Sequence, residues 1–353
     1  MSTSSTIDKQ AIRLHFADAP NRRYLQIALD RSVECDPMYT NSHKAPVPKR
    51  GWLQVKQGKI FFECVGEGEA IAFLHGFGLD SRMWAPQLEV FQATFRVIRY
   101  DLRGFGRSSL PVACDYAHED DLKTLLLHLG ANPAHVVGVS MGGRMALRFA
   151  AAYPGMVRSL VLADSALDGY TWSDDWQTRW KAMCESAKAG QIGEAKRQWL
   201  EHPIFHSARI NPSDALLLSK MIDDYSGWHW QRKDTARTPA PTLAERLHEI
   251  LSPSLVITGL QDIPDFQAIG ELLARHLPAA RREIIEGSGH MVNLEAADRF
   301  NKMLLGFWRE LSLKTIRSAV ESFSTFGGDT SVSTLAGQNV VSLGTKSTMF
   351  GSL

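Results

Sequence analysis

Ser140 lies in the run His135-Val136-Val137-Gly138-Val139-Ser140-Met141-Gly142-Gly143-Arg144, and its surroundings suit nucleophilic chemistry. Glycines two residues before and two residues after it make the G-x-S-x-G spacing of a nucleophile turn. The spacing has a physical reason. A serine raised on a strained turn brings neighbouring backbone against positions 138 and 142, where a β-carbon would clash. A helix starting after the turn would aim its first N–H groups, that of Met141 leading, at negative charge developing beside Ser140. The same residues also describe an ordinary strand–loop–helix corner with a capping serine, so the rest of the chain has to decide.

The elements that would position this serine are legible as alternating patterns. Residues 52–56 and 59–65 predict two strands joined at Gln57-Gly58, a hairpin signal. Short apolar runs at 70–74, 95–100, 135–138, 157–162, 254–258 and 281–285 have the length and composition of buried strands. Helical periodicity separates them at about 81–91, 120–129, 141–153, 266–276 and 294–311. Such alternation predicts a mostly parallel sheet covered by helices on both faces. Ligands of such sheets gather beyond the carboxyl ends of the strands. His75, Asp101, Ser140 and Asp164 all fall at such ends.

Between about residues 167 and 245 the alternation stops and the pattern is helical. This stretch holds six of the nine tryptophans, Trp172, Trp176, Trp180, Trp199, Trp228 and Trp230. Trp172, Trp176 and Trp180 recur every four residues and so share one face of a helix. That face either lines an apolar substrate pocket or is the packing surface of a helical cap.

Composition narrows the function classes. The chain has 353 residues, a formal net charge of +1, 22% charged and 44% apolar residues. This balance offers no basic face for nucleic acid or an anionic membrane, and no apolar run has the length of a bilayer span. The polar N-terminus shows no secretory h-region. Cys35, Cys64, Cys114 and Cys184 have no metal-like or CxxC spacing. A cytoplasmic protein without metal is the expectation. Residues 1–50 read as an extension and linker, with a short helix near 8–16, and 312–353 as a disordered tail. Oligomeric state is not legible.

Five motifs in register now carry a resemblance. His75-Gly76-Phe77-Gly78, Asp101-x-Arg103-Gly104-x-Gly106-x-Ser108, Gly138-x-Ser140-Met141-Gly142-Gly143, Gly259-x-x-Asp262 and Ser288-Gly289-His290 follow one another at family-like intervals. Over about residues 51–311 the sequence resembles the α/β-hydrolase fold superfamily. The resemblance implies an α/β fold with a mostly parallel eight-stranded sheet. Its core would be 51–166 and 246–311, with a helical cap at 167–245 inserted before the last two strands. It further implies Ser140 as nucleophile, His290 as general base and Asp262 as the acid that orients the histidine. Asp164 is a rival for the acid role, because some members of the fold place their acid there. The N–H groups of Phe77 and Met141 would form the oxyanion hole, and Trp172, Trp176 and Trp180 would line the substrate side of the cap. Asp101, Arg103 and Ser108 would be structural and His75 a loop-shaping residue; Arg144 would meet a substrate anion or pack at the surface.

Serine in place of the aspartate of epoxide hydrolases and haloalkane dehalogenases implies acyl transfer. Met291-Val292-Asn293-Leu294-Glu295 and the turn after Tyr100 resemble small carboxylesterases and the 3-oxoadipate enol-lactonase group. The expected activity is cleavage of a carboxylic ester or lactone of a small molecule, without cofactor. Carbon–carbon bond hydrolases of aromatic breakdown and cofactor-free haloperoxidases share these motifs, and a non-catalytic binding protein on the same fold remains a further alternative.

Overall fold

The computed structural model describes residues 11–19, 22–30, 49–112, 115–325, 329–335 and 338–344, with side chains described within 49–318. The chain divides into two units, one of residues 43–304 and one of residues 1–42 with 305–353.

The smaller unit contains strands β1 (Ala11–Ala19) and β2 (Arg22–Asp30) near the N-terminus. The larger unit opens with β3 (Lys49–Val55) and β4 (Gly58–Val65), the hairpin expected around Gln57-Gly58. Then come β5 (Ala70–Leu74), helix α1 (Ala85–Phe91), β6 (Arg96–Tyr100), α2 (His118–Leu129), β7 (Ala134–Val139), α3 (Met141–Ala152) and β8 (Val157–Ala163). Five helices follow without a strand between them: α4 (Asp174–Lys188), α5 (Ile192–Leu200), α6 (Pro212–Asp224), α7 (Trp228–Gln231) and α8 (Leu243–Arg246). The sheet resumes with β9 (Ser254–Gly259), α9 (Pro264–His276), β10 (Ala280–Ile285), α10 (Val292–Glu295) and α11 (Ala297–Thr325). The last described strands, β11 (Asp329–Leu335) and β12 (Gln338–Gly344), belong to the smaller unit.

The eight strands of the larger unit run in the order β10-β9-β8-β7-β5-β6-β4-β3. Only the β3–β4 and β4–β6 pairs are antiparallel. The remaining neighbours pair parallel, which needs the crossover helices seen in the sequence pattern. Every residue of β5, β7 and β9 is buried. Successive side chains of a strand point to opposite faces, so full burial means that both faces are covered.

Local chemistry sets the helix boundaries. Gly130 at φ 58° ends α2 in the left-handed conformation, which glycine adopts at no steric cost. Pro154 directly after Tyr153 prevents α3 from continuing. Ser173 caps α4 by accepting from the N–H of Trp176, with Asp174 and Asp175 in the first turn. The cap places Trp172 two residues before the helix rather than on it, yet it still stacks on Trp176 at 4.4 Å.

The termini differ from the sequence reading. Where a short helix was expected near 8–16, β1 and β2 form an antiparallel hairpin from Ala11 to Asp30. The reason is in the sequence: Ile12, Leu14 and Phe16 alternate with Arg13, His15 and Ala17, a period of two rather than 3.6. Residues beyond 312 were read as a disordered tail, but α11 runs on to Thr325 and β11 and β12 pair with each other. β12 also pairs with β2, giving a four-stranded antiparallel sheet in the order β1-β2-β12-β11. Short serine- and threonine-rich strands leave little periodic signal, whereas pairing with a hairpin some three hundred residues away is invisible locally. Residues 31–48, which hold Cys35 and most of the proposed linker, lie outside the described residues, as do Cys114 and the last nine residues.

Candidate active site

Four strand ends are tied side by side by backbone hydrogen bonds, and this row brings the chemistry together. Ser140, just after β7, donates its N–H to Ala163 O at the end of β8 at 3.0 Å. Asp164 donates to Ile257 O of β9 at 2.9 Å, and Leu260 and Gln261 donate to Ile285 O and Ser288 O beyond β10 at 3.0 and 2.8 Å. Residues from four separate segments therefore converge at the carboxyl edge, as expected for a parallel sheet.

Ser140 has φ 56° and ψ −119°, a backbone state that costs a non-glycine residue about 1–3 kcal/mol. The flanking glycines are required by close approach. A β-carbon at 138 would lie 2.3 Å from the carbonyl carbon of Gly142, and one at 142 would lie 2.1 Å from Leu74 O. The strained turn sits between two backbones that leave no room for a methyl group. Gly76, on the loop after β5, comes within 3.6 Å of the Ser140 β-carbon when its own Cβ position is built. The His75–Gly78 loop thus borders the serine. Among the described residues neither the N–H of Phe77 nor that of Met141 donates to a protein acceptor.

On the other side of the row, His290 Nδ1 lies 2.7 Å from Asp262 Oδ2, with both side chains fully buried. Asp262 Oδ1 accepts from the N–H of Ile263 at 2.7 Å, which fixes the carboxylate plane. A carboxylate on Nδ1 makes that nitrogen the donor, so the neutral ring presents Nε2 as an acceptor. His290 Nε2 is buried and has no hydrogen-bond partner. The Phe266 ring covers the imidazole at a centroid distance of 4.1 Å.

Asp164, the rival acid, stands beside this pair but not on the histidine nitrogen bonded to Asp262. Its Oδ1 accepts from Gly259 N at 2.9 Å, and its Oδ2 is buried without a donor. Burial and the neighbouring Asp262 charge push its carboxyl well above the ordinary carboxylate range. Donor atoms of Asp164, Asp262 and His290 all lie within 4.8 Å of one another, and the residue types would suit a metal. The spacing does not. Ligands of one ion with bonds of about 2.0–2.1 Å sit roughly 3.3 Å apart, whereas 2.7 Å between Nδ1 and Oδ2 is a shared-proton distance.

The residues read as structural have structural partners. His75 bridges Gly76 O through Nδ1 at 2.8 Å and accepts from Leu102 N at Nε2 at 2.9 Å, pinning two loops. Asp101 accepts from Ser81 N and Arg107 N, each at 2.9 Å. Arg103 forms a bidentate pair with Asp121 at 2.7 and 3.0 Å, and Ser108 accepts from Phe61 N at 2.8 Å. Arg144 lies 3.8 Å from Asp168, whose two oxygens are held by Arg148 at 2.6 and 2.7 Å. Arg144 Nε is buried with no hydrogen-bond partner.

The tryptophans of the helical insert reach both sides of the row. Trp172 and Trp176 each set an edge against Phe266 at 5.3 and 5.7 Å, on the His290 side. Trp180 meets Phe77 at 5.0 Å, on the loop side. Phe77 is ringed further by Phe105, Trp199, Tyr225, His229 and Trp230 at 5.5–6.0 Å. Phe266 and His202 were not anticipated from the sequence. His202 packs on Trp176 at 5.1 Å and is held neutral, its pKa pushed down to about 4 by burial, then by Arg179 and His290. Neither carries a local signal, since their importance comes from partners far along the chain.

With this geometry in place the comparisons with known proteins decide the family. A family model described as alpha/beta hydrolase fold matches residues 69–297. The chain belongs to that family. The eight-stranded, mostly parallel sheet is the architecture that the sequence predicted, and the protein is a hydrolase of this fold. Among similar proteins, a 3-oxoadipate enol-lactonase of Acinetobacter baylyi is 27% identical over 260 residues, covering 72% of this chain and 96% of its own. A 2-hydroxy-6-oxononadienedioate/2-hydroxy-6-oxononatrienedioate hydrolase of Paraburkholderia phymatum is 30% identical over 264 residues, covering 70% and 90%. A thermophilic esterase from Thermogutta terrifontis superposes with a TM-score of 0.61 at 24% identity, covering 74% of this chain and 99% of its own, and shares the fold. Among the described residues, no helix of this hydrolase is long and apolar enough to cross a membrane.

Proposed function

We propose that this protein is a serine hydrolase that cleaves a carboxylic ester or lactone of a small molecule through an acyl-Ser140 intermediate. The observation that carries the reading is the His290–Asp262 pair at 2.7 Å, with an unpartnered Nε2, in the row of strand ends that holds the strained Ser140.

His290 Nε2 takes the proton of Ser140 Oγ as that oxygen bonds to the substrate carbonyl carbon. Asp262 holds the tautomer and stabilises the imidazolium. The N–H groups of Phe77 and Met141 receive the charge that collects on the carbonyl oxygen, each such donor being worth about 3–4 kcal/mol in the transition state. The tetrahedral intermediate collapses, the leaving oxygen takes the proton from His290, and the acyl group remains on Oγ. Water then gives a proton to His290 and attacks the acyl carbon, and Ser140 leaves with that proton. The balance closes with one water consumed. No cofactor takes part in this sequence.

In this reading residues 167–245 are a cap over the site, 51–166 and 246–311 the catalytic core, and Trp172, Trp176 and Trp180 the apolar side of the pocket. The partner is a small molecule and the setting cytoplasmic. The enol-lactonase relative supports a lactone or enol ester, because that name denotes a substrate hydrolysed at an acyl–oxygen bond. A second reading rests on the 30%-identical hydroxy-oxononadienedioate hydrolase, whose name fits cleavage of a carbon–carbon bond in a vinylogous diketone.

The test is labelling with a fluorophosphonate, mapped to a peptide, beside hydrolysis of a panel of p-nitrophenyl esters. Adduct on Ser140 with ester turnover is the expected result. Adduct without turnover moves the assignment to carbon–carbon cleavage, and no adduct on folded protein overturns the serine mechanism.

A further inference from the structure

Asp164 is a buried carboxyl that the mechanism above leaves unused. Three features single it out. Its φ is 40°, a left-handed backbone state that an aspartate holds only at some cost. Its Oδ1 is fixed by Gly259 N, so the side chain has one orientation. Its Oδ2 is buried with no donor, in a cluster whose donor atoms lie within 4.8 Å of Asp262 and His290.

Two buried carboxyls with oxygens within 4.8 Å of each other repel when both are ionised, and burial adds to that cost, which favours a proton on Asp164. A proton on Asp164 Oδ2 satisfies the orphan oxygen by turning it into a donor, and the neighbouring Asp262 carboxylate is an acceptor. We propose that Asp164 is a positioning residue whose carboxyl shares one proton with Asp262, so that a carboxylic acid–carboxylate pair, rather than a lone aspartate, faces His290. This rests on the reading of His290 as the base.

The pair has a direct consequence for that base. A hydrogen bond from Asp164 draws negative charge off Asp262, so the imidazolium is stabilised less than by a free carboxylate. The other ionisable groups facing this cluster are Glu295 on α10 and His202 between α5 and α6. Glu295 is pushed up by burial although it accepts from Gly289 N and Met291 N, and His202 stays neutral.

The test compares Asp164→Asn with Asp164→Gly. Both tolerate the left-handed backbone; the amide keeps a donor toward Asp262 and an acceptor for Gly259, and glycine keeps neither. Three readouts are followed: the acid limb of kcat/KM for a p-nitrophenyl ester, the NMR titration of His290, and the infrared difference between wild type and Asp164→Asn at pH 7. The expected result is a protonated-carboxyl C=O band lost in Asp164→Asn. His290 should titrate about half to one unit higher in Asp164→Gly, while Asp164→Asn keeps the wild-type value. An absent band overturns the proposal even if Asp164→Gly does not fold. A His290 titration unmoved in Asp164→Gly, or moved downward, also overturns it, as does an equal shift in both variants. The infrared and NMR readouts do not depend on turnover, whereas labelling of Ser140 tests the hydrolase reading by itself, so the two failures are distinguishable.

Discussion

Trp180 meets Phe77 edge-on, with ring centroids 5.0 Å apart and planes at 69°. One residue belongs to the first helix of the insert, the other to the loop after β5 whose Phe77 N–H is the proposed oxyanion donor. Under the proposed function, the contact links the wall of the acyl pocket to the loop that carries an oxyanion donor. An edge-to-face pair of this kind contributes about 0.5–1.5 kcal/mol beyond area burial.

Trp180→Ala should therefore lower kcat/KM for long-chain p-nitrophenyl esters by about 2- to 10-fold. Acetate should be affected less, since a short acyl group leaves the tryptophan face unfilled. A chain-length panel measures this. Equal losses at every length would remove Trp180 from the pocket wall and leave it as packing.

Ser140 stores backbone strain. Ser140→Gly removes the hydroxyl proposed as nucleophile and also relieves φ 56°. Thermal unfolding should show the variant more stable by about 1 kcal/mol, the net of strain relief and added chain entropy. Ester turnover should fall by at least about 10⁴-fold in it and in Ser140→Ala. A lower melting temperature in Ser140→Gly would contradict the strain assignment.

Gly142 has no space for a methyl group, because the obstacle is the Leu74 carbonyl of the neighbouring strand rather than a movable side chain. Gly142→Ala should cost about 3 kcal/mol or more in urea unfolding. Gly155, with nothing within 4 Å of its built Cβ, is the control, and Gly155→Ala should stay within about 0.5 kcal/mol.

Acid should weaken the fold through its buried histidines. His202 and His229 are both pushed down to about 4, each mainly by burial; at His229 the nearby Asp234 opposes the shift and Arg144 adds to it. A histidine depressed in the folded state binds fewer protons there than when unfolded. Stability should then rise with pH between about 4 and 6.5 and be lost as pH falls through that window, by up to about 3 kcal/mol per group. Melting temperatures of wild type and His202→Gln across pH 4–7 measure it, the variant giving the flatter curve. Parallel curves would mean that His202 titrates normally.

Much of the site is written locally. Gly138, Ser140 and Gly142 state a turn with two close approaches, and the structure shows both clashes where β-carbons would go. Asp262 and His290 fall at strand ends because apolar runs stop just before them, and parallel strands deliver their ends to one edge. Phe266 against His290 has no such signature, and neither do the rings around Phe77. They join residues far apart in the chain, and side-chain packing carries no period of its own. The N-terminal hairpin did have a signal, the alternation in β1, but its pairing with β12 did not.

By itself the amino-acid sequence determined the alternation of strands and helices in the sheet between about residues 51 and 311, the glycine-flanked turn at Ser140 and the residues at the strand ends. Periodicity, glycine and the ends of apolar runs are properties of neighbouring residues. Only the tertiary structure decided between Asp262 and Asp164 as the partner of His290 Nδ1. Both aspartates end sheet strands and both are buried, and the choice depends on which carboxylate the fold brings to 2.7 Å. That distance is set by the register of β8, β9 and the loop after β10, which no single stretch of sequence contains.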